Sequence, residues 1–188
     1  ENCTKLGGIV IPITVTKVSA GAFSGTSGRI SAMADKKPSG WLSSWKPSSV
    51  RVNWSSEYHG KTDAGWLYSQ TLSAVTVTGY EGDDTHISIP SSINGCPVVA
   101  IGQDAFYSKV NIESVNIPET ILEIGKTAFS GCTNLAEITL PKNLETLHEG
   151  AFYGCGSLTT ITIPAGVTSV GEDAFGGCDS LTDIYCKA

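Results

Sequence analysis

The residues best suited to chemistry in this 188-residue chain are its six cysteines and three histidines, and their spacing limits what they can do. Cys132, Cys155 and Cys178 fall at intervals of 23 residues. Thiols at such positions could hold a metal or join as disulfides. Zinc sites draw their ligands from close pairs such as Cys-x-x-Cys, and the chain has none. Thiols on adjacent layers of a stack lie within disulfide reach, but side chains pointing in parallel into an interior are badly aimed for bonding. The expectation is a column of buried, unbonded thiols packed like small apolar groups. Cys3 repeats that position near the start, Cys186 takes a strand position and reads as buried, and Cys96 falls in a turn and reads as the exposed thiol. His59, His86 and His148 share no spacing with a nucleophile, so they read as separate surface residues. Asp83-Asp84 lacks the alternating acidic loop that calcium needs. Gly-x-Ser-x-Gly and glycine-rich phosphate loops are absent. No catalytic residue, metal site or cofactor is expected, and the chain does not read as an enzyme.

Aromatic side chains are the other candidate chemistry. Trp41, Trp45, Trp54 and Trp66, with Tyr58 and Tyr68, crowd into one stretch. Exposed, they could stack on sugar rings or anchor a protein. Buried, they would close an open end of a stacked structure, which needs large apolar area. Charge divides the chain: residues 1–65 hold eight Lys/Arg and four Asp/Glu, residues 66–188 four Lys and fourteen Asp/Glu, so +4 and −10 sum to −6. The acidic second part argues against a nucleic-acid partner. No apolar run approaches the ~20 residues of a membrane span.

The elements that must position these residues come from an internal repeat. Ala-Phe recurs at Ala105-Phe106, Ala128-Phe129, Ala151-Phe152 and Ala174-Phe175, each step 23 residues. A proline follows twelve residues after the first three phenylalanines, at Pro118, Pro141 and Pro164. The stretches before those prolines, IESVNIP, LAEITLP and LTTITIP, alternate apolar and polar residues and predict short half-buried strands that proline ends. One such unit cannot bury its own apolar side, whereas stacked units cover one another. Segments 112–117, 135–140, 158–163 and 181–186 are expected to form one parallel sheet in that order, with the four phenylalanines as a buried column.

The pattern I-G-x-x-A-F-x-G-C-x-x-L-x-x-I-x-I-P, present as IGKTAFSGCTNLAEITLP at residues 124–141, resembles the BspA-like leucine-rich repeats of bacterial surface proteins. The likeness covers residues 3–23 and about 75–188. It departs at Lys109, at Ile112 and at Leu147-His148, which stands for Ile-Gly. It implies a repeat solenoid with a parallel sheet on one face and irregular or short helical turns on the other. Residues 1–55 read as the end of one array with a Trp-rich closing segment, 56–71 as a linker, and 72–188 as a second array. That array opens with a β cap over 72–100, where Asn94-Gly95 signals a tight turn. The chain starts inside one repeat and stops just after another, as an excised piece would. Its ends are expected to invite end-to-end self-association, with the Trp segment covering a neighbouring molecule.

The resemblance also implies a function. Members of the family are associated with adhesion to host or matrix proteins, so a non-enzymatic, adhesion-type protein-binding module, extracellular or on a bacterial surface, is expected. The outward strand residues His86, Ser88, Ser114, Asn116, Glu137, Thr139, Thr160, Thr162, Asp183 and Tyr185 are the candidate ligand-facing set. Two alternatives stay open. One is a passive spacer that displays another domain; the other is a carbohydrate-binding module using Trp41, Trp45 and Trp54.

Overall fold

The computed structural model describes residues 9–11, 15, 17–19, 22–23, 29–32, 39, 41, 51–54, 58–71 and 73–187. The chain separates into two compact units, 1–58 with 70–72, and 59–69 with 73–188. In the first, β1 (Ile9–Ile11), β2 (Arg29–Ala32) and β3 (Arg51–Trp54) form a parallel sheet in that order, registered Ile9 to Ile30 to Val52. Ile11, Val18, Ala32 and Trp41 make its core, with Val15 and Phe23 packed against them.

The second unit opens with β4 (Tyr58–Lys61), β5 (Trp66–Gln70), β6 (Val75–Tyr80), β7 (His86–Ser88), β8 (Ser92–Ile93) and β9 (Cys96–Ile101). Residues 56–71, expected as a linker, instead supply β4 and β5. The turn between these strands is closed by the bond from Gly65 N to Thr62 O at 2.9 Å. Both strands extend the sheet beyond β6. Asn94 and Gly95, at φ 52° and 76°, form the tight turn that folds β8 back antiparallel on β9.

The repeats then follow, with β10 (Ser114–Asn116), β11 (Glu123–Ile124), β12 (Glu137–Thr139), β13 (Thr146–Leu147), β14 (Thr160–Ile163), β15 (Ser169–Val170) and β16 (Asp183–Cys186). Each rung has three walls. On one, β9, β11, β13 and β15 stack in parallel, Ala100 to Glu123 to Thr146 to Ser169. The glycine of the Ile-Gly pair is needed here: a Cβ on Gly125 would lie 2.7 Å from Gly102 C and Gln103 N of the rung before. A second wall is turns, with no helix among the described residues. Phe106, Phe129 and Phe152 donate N–H to Ala128, Ala151 and Ala174 at 2.7–2.8 Å. The glycine of Phe-x-Gly-Cys sits at positive φ, 73° at Gly131 and 70° at Gly154, where an L side chain is disfavoured.

The third wall holds the predicted strands. β7, β10 and β12 pair in parallel, as do β14 and β16, but β12 and β14 do not pair. The single sheet expected from the repeat is therefore two. Periodicity sets the register of rungs, while their separation on any one wall depends on how the layers tilt. At this break the other two walls stay joined, with Phe129 N on Ala151 O at 2.8 Å and Thr168 N on Glu145 O at 2.9 Å.

The interior is a set of columns. Phe106, Phe129 and Phe152 are fully buried, and their rings stack with Phe175 at 4.9, 5.2 and 5.5 Å between centroids, tilted by 1–3°. Phe175, expected to be buried like the others, is only half-buried, because no described rung follows its own. The other end is covered: Trp66 meets Phe106 edge-on at 6.3 Å and lies 4.5 Å from Tyr80.

Candidate functional site

Each strand of the third wall has three to four residues, so the pleat turns its apolar members inward and their neighbours outward. Ile87, Val115 and Ile161 are buried and Ile138 half-buried. Ser114 and Thr162 are half-exposed, and the other eight of the ten candidates are exposed: His86, Ser88, Asn116, Glu137, Thr139, Thr160, Asp183 and Tyr185. Register aligns them into lines, His86–Ser114–Glu137 and Ser88–Asn116–Thr139 on one sheet, Thr160–Asp183 and Thr162–Tyr185 on the other.

One constellation escapes the linear spacing. The 28-residue step between β7 and β10 brings His86 Nδ1 to 2.8 Å from Ser114 Oγ, with Nε2 3.8 Å from the Glu113 carboxylate. Serine, imidazole and carboxylate together suggest nucleophilic catalysis. However, the His86 and Glu113 side chains are 70% and 54% exposed. Water is free to compete for every contact, so the group reads as an open hydrogen-bonded patch. The inserted residues before β9 lengthen this one step, which is why a 23-residue comb misses the pair. Among the described residues no three His, Cys, Asp or Glu converge as a metal site, and no helix is long and apolar enough to cross a membrane.

The thiol column is as expected in its main part. Cys132, Cys155 and Cys178 are buried and unbonded. Their Sγ–H groups donate to the carbonyls of Phe106, Phe129 and Phe152 at 3.1–3.2 Å, so each thiol satisfies a carbonyl of the preceding rung. Burial pushes Cys132 up to about 12. The adjoining Cys178 thiol, and then burial, hold Cys155 up as well. The folded chain keeps Cys132 neutral, so this group penalises the fold progressively as pH rises from about 9 towards 12. Two expectations are corrected. Cys186 is exposed, since β16 is the outermost strand of its sheet, and Cys96 is only partly exposed. Cys3 lies outside the described residues. At neutral pH a thiol reagent should leave Cys132 and Cys155 untouched and reach Cys178, which the Cys155 thiol lowers to about 7, more readily, and denaturation should release all three. Native protein in which these three react as fast as Cys186 would contradict the burial.

The aromatic candidates divide. Trp41 is 3% exposed and its Nε1–H donates to Val15 O at 3.0 Å, so it is built into the core of the first unit. That removes it as an open sugar-stacking surface, and as a cover for a neighbouring molecule. Burial follows because Trp41 bridges in parallel to Val18, within the core of the first unit. Trp45 lies outside the described residues, and Trp54 is placed by its backbone alone. Trp66 and Tyr68 are buried in the cap, where Tyr68 Oη accepts from Asn94 Nδ2 at 2.9 Å.

Comparison with known proteins agrees with this geometry. The family model for the BspA type leucine rich repeat region matches residues 99–188 with six copies. A leucine-rich repeat protein from Bacteroides capillosus superimposes with TM-score 0.63 at 29% identity, over 71% of this chain and 100% of that one. For the leucine-rich repeat protein of T. pallidum the values are 0.57 and 30%, over 66% and 71%. A leucine rich cell surface protein from Faecalibacterium prausnitzii shares the fold at 22% identity and TM-score 0.50, over 99% of this chain and 61% of that one. Comparison with curated proteins gives no match. With its repeat, its three-walled rungs and a relative of this identity and coverage, the chain belongs to the BspA-type leucine-rich-repeat family of bacterial proteins.

Proposed function

We propose that the third wall is the contact face of a non-enzymatic, adhesion-type module that binds host or matrix protein from a bacterial surface or secretion. The observation that carries this reading is the outward set: residues from five rungs held in register as lines on two sheets, most of them small polar or acidic, with His86 and Tyr185 at the ends. Such a face suits a broad protein contact better than a small molecule, which needs a deep, mostly apolar pocket. The F. prausnitzii protein that shares the fold is described as a cell surface protein, in keeping with an extracellular setting. The test is capture from solubilised extracellular matrix with the chain as bait. Ser114→Arg with Asn116→Arg places two long cations in the middle of the face and should weaken capture about tenfold, roughly 1.4 kcal/mol, with the melting temperature unchanged. Undiminished capture by a folded double variant would move the contact off this wall.

A further inference from the structure

We propose that the second wall, made of turns, is a stacking platform for a neutral β-1,4-linked glycan. It is a separate surface from the third wall and does not depend on how that wall is read. The slot after each column phenylalanine is filled by Tyr107, Ser130, Tyr153 and Gly176 in successive rungs. Phe106 N and Ser108 N bond to Ala128 O and Ser130 O as Phe152 N and Gly154 N bond to Ala174 O and Gly176 O, so the two tyrosines stand at the same place on the wall. Their side chains are left in water, Tyr107 58% and Tyr153 49% exposed. Neither phenol is hydrogen-bonded and neither ring meets another ring among the described residues. The Tyr153 ring is nevertheless held. A carbon added at Gly176 would lie 3.0 Å from Tyr153 Cδ2, and one at Gly177 3.7 Å from Cζ, so the ring rests on bare backbone of the next rung. The rung between the tyrosines is kept low, since Ser130 is buried and Gly131 has no side chain.

Spacing selects the ligand. Consecutive rings of the buried column are 4.9 and 5.2 Å apart, so positions two rungs apart are separated by about 10 Å along the stack. A β-1,4-linked pyranose chain presents the same face again on every second sugar, at about that distance. With its substituents equatorial, each sugar offers a sheet of C–H bonds that suits an aromatic ring. Hydrogen-bonding groups stand beside the rings. Asp173 Cβ would lie 3.2 Å from the same added carbon at Gly176, so its exposed side chain flanks the Tyr153 ring. Asp104, three residues before Tyr107, is also exposed and accepts from Thr127 Oγ1. Carboxylates accept from sugar hydroxyls. Residues 66–188 carry −10, so a polyanionic glycan is repelled and a neutral one is not. A protein anchor is favoured where apolar area is contiguous; here two rings stand apart across a serine and glycines.

The probes are cellohexaose and chitohexaose, titrated by calorimetry into the whole chain, with α-linked maltohexaose as the control. At least one β-linked chain should bind, the pair showing whether the acetamide is needed, and maltohexaose should bind clearly less. Tyr107→Ala with Tyr153→Ala should weaken binding about tenfold or more, with the melting temperature unchanged, because both rings are exposed. Ser130→Tyr with Tyr153→Ser keeps two rings but brings them to adjacent rungs, and should lose binding to the same degree. Amide hydrogen exchange on glycan addition should slow around Tyr107 and Tyr153 and stay as it was at Ser114–Asn116. Failure of both β-linked chains at millimolar concentration overturns the proposal, and so does equal binding by the double alanine variant. Matrix capture lost in that variant, with no oligosaccharide bound by the parent chain, would make the wall a protein contact and overturn the glycan.

Discussion

Phe152→Ala should destabilise the second unit by about 3–5 kcal/mol, the range for truncating a fully buried aromatic. The Phe152 ring is 0% exposed and lies between two others, 5.2 Å from Phe129 and 5.5 Å from Phe175. Removing it leaves a void bounded by two ring faces. Those faces cannot close together, because the backbone of each rung is tied to the next: Phe129 N–H donates to Ala151 O and Phe152 N–H donates to Ala174 O, both at 2.8 Å. A domain of this size is stable by only about 5–15 kcal/mol, so the loss should appear as a large shift in the urea midpoint. Phe175→Ala is the internal comparison. Phe175 is half-buried and stacks on one described ring only, so its truncation should cost clearly less. Equal shifts for the two variants would mean that the phenylalanine column is not what holds the rungs together.

Register was legible in the sequence because the repeat states it directly. A 23-residue comb places Glu123 beside Thr146 and Thr160 beside Asp183, and the structure has both pairs. The buried columns follow from the same comb, since every rung presents the same side chain at the same height. Four features were not legible, each for a physical reason. The strands β4 and β5, YHGK and WLYSQ, lie outside the 23-residue repeat, so no comb announces that they add to the sheet beside β6. Trp41 sits in a Pro-Ser-Gly stretch without periodicity, so burial and exposure look alike until Val18 is placed beside it. The gap between β12 and β14 occurs where the motif is closest to ideal, LAEITLP followed by LTTITIP. The outward set of the third wall was legible, but the His86–Ser114 pair was not, since the residues inserted before β9 break the comb between them.

Trp66→Ala should destabilise the second unit about as much as losing a core phenylalanine, roughly 3–5 kcal/mol. The change has a further consequence that Phe152→Ala lacks. Trp66 is 7% exposed, meets Phe106 edge-on at 77° and packs on Tyr80. It is the aromatic that covers the first ring of the column. In a solenoid each layer is stabilised chiefly by its neighbours, so an uncovered first layer is both less stable and sticky. With the indole gone, the Phe106 ring and the apolar residues around it meet water, and the rungs should fray from that end inward. Two measurements follow. The urea midpoint of the second unit should drop, with amide exchange accelerating first around Phe106 and later around Phe129 and Phe152. Light scattering should also show concentration-dependent association that the parent chain shows less of, since the new apolar end can be hidden only against another molecule. Tyr107→Ala is the control: it removes an aromatic one residue further along that is 58% exposed. Its effect should stay within about 0.5 kcal/mol, as surface substitutions do. If Trp66→Ala and Tyr107→Ala behave alike, β5 is an ornament on the array and not its cap.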